Sequence, residues 1–465
     1  MKNRYLSKLI ALLIVLSIAL SFSAVYAEGS VIMSDSANKY LKIGLSFGGN
    51  AVSSVKLQSS NGFLLADCSY DGWNTITDLS SHKHLQIIYD AEQYCSLIVV
   101  DDDSKEICCS VSEGQALIAA STSVDNRYVQ VDGKTYRDGV CFTLNEDKSI
   151  NVINYIEIEH YLWGVMKNEI GDQYPAEALK AFAVTTRSFA YANLGAHSAY
   201  GFDLCTGNEC QMYRGVSAES PACTAAYKDT LGLVMKYDGK LATGNHYANS
   251  GGHTLNSEDA WVSAVPYLRA VEDPYSPEYT WDLSYTYEQV KNKLLAQGIN
   301  IGDVKKVEIS SVTDYGAVLE LTFTGTKGTA SLSKGKIKST FSLRSQLFTL
   351  SSGNDSSAPA EASEDGAIYI LGANGEAVKI ETKDLVIFDG EKYVSGNELD
   401  WSGFGESSSS SSADAKPSDI LTFHGRGNGH GVGMSQSGIK VMAQQGFTFE
   451  EILKFYFTGI TVENK

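Results

Sequence analysis

Net positive charge is what this chain most clearly lacks: 37 Lys and Arg stand against 55 Asp and Glu, a formal charge of −18. A surface of that sign repels nucleic acid and anionic lipid, which argues against nucleic-acid binding as its role. Long apolar runs are also scarce, and beyond Leu9–Ala24 no segment is long and apolar enough to span a bilayer. Familiar catalytic signatures are missing too. There is no HExxH, and the glycines of Gly425–Gly433 lack the G-x-G-x-x-G spacing and βαβ context of a dinucleotide site. Ser250, before Gly251, has neither a nucleophile elbow nor a recognisable triad.

What is present begins at the N terminus. Lys2, Arg4 and Lys8 precede the apolar run, and Val25-Tyr26-Ala27 follows it, in the order of a secretory signal peptide over residues 1–27. The chain is therefore expected to be secreted, working in the cell wall or at the outer face of the membrane. An uncleaved anchor is the competing reading, because the run approaches the roughly 17–25 residues that cross a bilayer. Cleavage after Ala27 would remove three cations and leave −21. Eight cysteines in an exported chain invite disulfides. However, Cys68, Cys95, Cys108, Cys109 and Cys141 make an odd set in the N-terminal region, and Cys205, Cys210 and Cys223 another in the core, which argues against a fully paired framework.

At 465 residues the chain is too long for one core. The pattern predicts an α+β protein. Residues 28–145 read as a mainly antiparallel β-rich domain, from short alternating runs such as KYLKIGLSF and SLIVVD separated by Gly, Asp, Asn and Ser. Residues 146–350 read as the first part of a mixed core, with helices at 159–168, 175–194 and 287–297 and strands in VKKVEISS and AVLELTFTG. Residues 351–420 hold two flexible Ser-rich linkers around a small β insert with Asn-Gly and Asp-Gly turn signals. Residues 421–465 complete the core. There the alternating glycines predict a close backbone approach leading into a helix from Met434 to Gln445, with His430 a hydrogen-bonded structural residue.

The richest segment is NEIGDQYPAEALKAFAVTTRSFAYA, from Asn168 to Ala192. Gly171 ends one apolar segment and Pro175 suits the first turn of the next helix, so Glu169 is expected at or just before a turn. Lys180 and Arg187, seven residues apart, share a helix face and are expected to line a cleft. A general acid needs a raised pKa, which burial supplies and nearby cations oppose, so the two cations are cast as substrate or loop positioners. Trp163 and Met166 could supply apolar surroundings. Taken alone, the pattern also fits a capped amphipathic helix with a solvated charged face.

Glu-x-x-x-x-x-Pro followed by Ala-Leu-Lys-Ala and Thr-Arg-Ser-Phe-Ala resembles the hallmark segment of the SpoIID/LytB family of bacterial sporulation and cell-wall proteins. GRGNGHGVGMSQSGIKVMAQQG, from Gly425 to Gly446, resembles that family's C-terminal signature. YANSGGHTLNSEDAW, PYLRAVEDPY and FSLRSQLFTL agree with it in the same order between them. The resemblance runs from about Ile153 to Thr461 apart from an insertion, and says less about the N-terminal third. It implies a peptidoglycan lytic transglycosylase with Glu169 as the catalytic acid and Lys180, Arg187 and Tyr247 among the substrate-binding residues; Ser250, expected in a tight turn at the cleft wall, is a further substrate-binding candidate. One carboxylate suffices for that chemistry, because the sugar's own 6-hydroxyl is the nucleophile, whereas most glycosidases need two. A LytB-like wall-binding protein that enhances a separate cell-wall amidase is the rival.

His197, Cys205 and Cys210 offer an imidazole and two thiolates, a set that suits zinc. Some SpoIID proteins resemble the chain in holding zinc through such a set, although Glu209 stands where many relatives carry a histidine. Zinc, a Cys205–Cys210 disulfide and free thiols stay open as alternatives. If zinc is held, its expected role is to organise the loop; a zinc amidase is the least favoured reading, because thiolate-rich sites are usually structural. His246 and His253, flanking YANSGG, are expected to line a polar cleft without chemical duty.

Overall fold

In the computed structural model of the chain, the described residues are 39–91, 96–101, 105–108, 111–207, 209–352 and 420–465, with insert strands at 367–371, 377–381, 386–388 and 393–395. The signal-peptide and anchor readings, Cys95, Cys109, the Asn-Gly and Asp-Gly turns of the insert and nearly all of the Ser-rich linkers lie outside them. The chain folds as two compact units, one of residues up to 161 with 195–206, the other of 162–194 with 207–465. The architecture is α+β, and no sheet among the described residues closes into a barrel.

The first unit is antiparallel almost throughout. A seven-stranded sheet runs, in spatial order, Leu204–Cys205, Tyr40–Ser46, Ile150–Glu157, Gly139–Leu144, Gln115–Ala119, Phe63–Cys68 and Trp73–Leu79. A six-stranded sheet is built around Ser54–Gln58 and His84–Asp90. Alternation sets the faces: in Ser54–Gln58, Val55 and Leu57 are buried while Lys56 and Gln58 are exposed. The strand Ile150–Glu157 lies beyond the expected boundary at 145, yet pairs with both Tyr40–Ser46 and Gly139–Leu144. Asp203 ties the 195–206 segment to this sheet: its carboxylate accepts from Lys42 N at 2.8 Å, from the Tyr70 hydroxyl at 2.8 Å and from Gly195 N at 3.1 Å.

In the second unit the helix Ala176–Ala192 is buried around nearly its whole circumference. Pro175 stands immediately before it as N-cap. A separate core of Trp281, Val290, Leu294, Phe323, Phe341, Phe348 and Phe423 is enclosed by the helix Tyr287–Ala296, the meander Val304–Val312, Val318–Gly325 and Gly328–Ser333, and the sheet of Thr280–Thr286, Ile420–Arg426 and Phe348–Ser352. The insert strands form two hairpins, Ala367–Leu371 with Ala377–Glu381 and Val386–Phe388 with Tyr393–Ser395.

Candidate active site

Glu169 is the last residue of the short helix Met166–Glu169, and Gly171, at φ 79°, turns the chain out of it. The side chain is 14% exposed. Its Oε1 accepts from Met212 N at 2.7 Å, and its Oε2 lies 3.5 Å from His246 Nε2. The Met212–Arg214 stretch is docked by Arg214 N donating to Gly164 O and by the Tyr213 ring, which occupies the space where a side chain on Gly164 would stand. Burial pushes the Glu169 carboxyl up. The His246 hydrogen bond and charge, the Met212 N–H and the Arg214 guanidinium pull it down further, and the net direction is below the ordinary value of 4.5. The resting group is therefore a carboxylate, which departs from the raised pKa expected of a general acid.

His246 is placed by three contacts. Its strand His246–Tyr247 runs parallel to Met434–Ser435, its ring meets Phe182 edge-on at 4.7 Å, and its carbonyl accepts from His430 Nε2 at 2.9 Å. The His430 Nδ1 accepts from Val432 N at 3.1 Å, which fixes the neutral tautomer, and burial pushes its pKa down to about 4. His430 is thus the hydrogen-bonded structural residue expected. The glycine ribbon makes this packing possible: a Cβ on Gly429 would stand 2.6 Å from the Tyr247 Cβ, and Gly427, at φ 79°, passes against the backbone of Asn249 and Gly251.

Four expected cleft residues sit differently. Arg187 is fully buried, donating to Tyr227 O and Leu233 O, each at 3.2 Å, and to Thr230 Oγ1 at 3.5 Å. The Tyr227 carbonyl lies in the last turn of the helix Pro221–Asp229, where a cation is favoured, and that of Leu233 begins the strand Leu233–Tyr237. Lys180 pairs with Glu177 at 3.1 Å and Asp229 at 3.4 Å. The helix is enclosed on almost all sides and has no solvated stripe to offer, so a shared face does not bring its two cations to a cleft. Tyr247 is buried with a hydroxyl that has no partner among the described residues, and Ser250 is buried with its Oγ accepting from Gly252 N, a turn residue. The role of His246 was missed, since nothing in sequence joins it to a glutamate 77 residues away. Met212 was missed as well, because a backbone donor leaves no trace in side-chain pattern.

The stretch from His197 to Cys210 brings one imidazole nitrogen and two sulfurs within 4.8 Å of one another. Tetrahedral zinc with S and N ligands needs about 3.3–3.8 Å between them, so the donor set fits after a small contraction. Cys68, Cys141, Cys205 and Cys223 are free thiols here.

Residues 146–237 match the family model SpoIID, stage II sporulation protein. It is 28% identical over 361 residues to the amidase enhancer of Bacillus subtilis (strain 168), covering 73% of this chain and 45% of that protein. To stage II sporulation protein D of the same strain it is 25% identical over 329 residues, 67% of this chain and 75% of that protein. The chain therefore spans less than half the length of the amidase enhancer it matches.

Proposed function

We propose that the protein is a secreted lytic transglycosylase that cleaves MurNAc–GlcNAc glycan strands of peptidoglycan, including strands stripped of stem peptides, with Glu169 as its acid and base. The observation that carries this reading is one enclosed carboxylate held between a backbone N–H and an imidazole, with no second carboxylate bonded to either partner among the described residues. Covering the site with glycan would desolvate Glu169 further and favour its neutral, protonated form. Glu169 then gives that proton to the glycosidic oxygen as the C1–O bond breaks. The carboxylate takes a proton from the sugar 6-hydroxyl, whose oxygen closes on C1 to give a 1,6-anhydromuramyl end. Glu169→Gln keeps the shape and loses the proton, so release of anhydromuramyl product should fall by about 10²–10⁴. Near wild-type release would remove Glu169 from the role.

The second reading is a non-catalytic wall-binding enhancer of a cell-wall amidase. The downward pull on Glu169 favours it, since a resting carboxylate also binds, and one relative is named an amidase enhancer. No anhydro product from wild type on intact or peptide-free glycan, together with stimulation of an added amidase, would select it. In either reading, zinc at His197, Cys205 and Cys210 would hold the loop that supplies Met212, two residues beyond Cys210.

A further inference from the structure

Trp261 is 39% exposed and its neighbour Val262 is 95% exposed, at the end of a turn that is otherwise heavily clamped. Arg269 binds both oxygens of Glu258, at 2.7 and 2.6 Å, and the Ser257 hydroxyl at 3.0 Å. Gln346 donates to Asp259 O at 3.0 Å. The Lys334 ammonium donates to Glu258 O at 2.5 Å and to Trp261 O at 3.4 Å. A freely moving surface tryptophan would need none of this.

The indole is backed by His430, with ring centroids 5.2 Å apart, and His430 is in turn bonded to the carbonyl of His246, the partner of Glu169. Because both His430 nitrogens are used, this wedge is fixed and neutral. The indole N–H has no hydrogen-bond partner among the described residues. Lys334 is the N-cap of the helix Gly335–Phe341, whose first residue lies against the Ala260 carbonyl, and this helix carries Lys338. It is half-buried, its ammonium makes no hydrogen bond or ion pair among the described residues, and it lies close enough for its charge to act on His430. Burial without a counter-ion pushes its ammonium below the usual lysine range.

An exposed, immobilised aromatic face suits the apolar face of a pyranose, and a partly desolvated, unpaired cation suits an anion. We infer that Trp261 and Lys338 form a subsite for an acidic amino sugar, its ring on the indole, its acetamido carbonyl within reach of the indole N–H and its carboxylate at the Lys338 ammonium. On peptide-free glycan that carboxylate is the lactyl group of the muramic unit, which amide linkage to a stem peptide would neutralise. The inference rests on the glycan-acting reading, and it does not require that reading's chemistry.

The test is equilibrium binding by the full chain carrying Glu169→Gln, which prevents turnover, to two probes: peptide-free peptidoglycan glycan and a chitin oligosaccharide of matched length that lacks carboxylates. Trp261→Ala should weaken both by about tenfold or more, with Trp261→Phe keeping most of the affinity. Lys338→Met should weaken only the carboxylate-bearing glycan and remove part of its salt dependence. Unchanged binding in Trp261→Ala, or an equal effect of Lys338→Met on both probes, would overturn the subsite. Product release is read separately with Glu169 intact. Binding that behaves as expected without any release leaves the subsite standing and removes the transglycosylase. Release with binding indifferent to both substitutions does the reverse.

Discussion

Glu169 and His246 meet across 77 residues of chain, with Oε2 and Nε2 3.5 Å apart and both side chains under 15% exposed. The pair is assembled by two unrelated elements, a short helix end and a two-residue strand, and each is locked from behind. The electrostatics of the site are therefore those of the pair.

Removing the imidazole should release the carboxyl upward. In His246→Ala, burial acts on Glu169 with only Met212 N and the Arg214 guanidinium opposing it, so its pKa should rise relative to wild type. Carboxyl-labelled NMR titration reads this directly. An unchanged Glu169 titration would mean that His246 exerts no hold on it in solution.

The depressed carboxyl also links folding to pH. Because the folded-state pKa of Glu169 lies below its unfolded value, its contribution is fully present above about 4.5 and is lost as pH falls through the folded value. Thermal melts of wild type and Glu169→Gln should therefore converge on acidification through that window. A difference that stays constant would contradict the linkage.

Arg187→Ala should act on stability before anything else. It strands the carbonyls of Tyr227 and Leu233 in the interior, which costs roughly 2–4 kcal/mol. Lys180→Ala should cost about 0–1 kcal/mol, since its partners are Glu177 and Asp229 near the surface. Denaturant melts distinguish the two, and equal effects would refute the contrast.

Thiol mapping separates the cysteines. Burial pushes Cys68 and Cys141 up to about 12 each, so both should resist alkylation in the native protein at neutral pH. Cys205 and Cys210 should be protected by zinc and become reactive after chelation, with about one equivalent of metal released. A mass map showing the two joined as a disulfide in metal-free protein would reject the zinc reading.

Much of the fold was legible because it rests on local rules. Alternation gave the strands of the first unit, and Gly171 and Pro175 marked the break that puts Glu169 at a helix end. The alternating glycines announced a close backbone crossing that Gly427 and Gly429 make. What misled was expecting Lys180 and Arg187 to line a cleft: a helix enclosed on almost all sides carries one cation to internal carbonyls and the other to flanking acids, and spacing alone cannot tell these cases from a cleft. His246 and Met212 were invisible for a different reason, since contacts across 77 and 43 residues depend on tertiary packing.

The strands Phe348–Ser352 and Ile420–Arg426 are antiparallel neighbours, with Ser352 opposite Leu421. The strands thus end and resume at adjacent positions, as those of a hairpin do, however much chain lies between. The sheet holding Phe348 and Phe423 would close just as well over a tight two-residue turn. Cutting the insert out at those points is topologically free, and the same seam is a natural place to graft a different module onto the protein without rethreading its core.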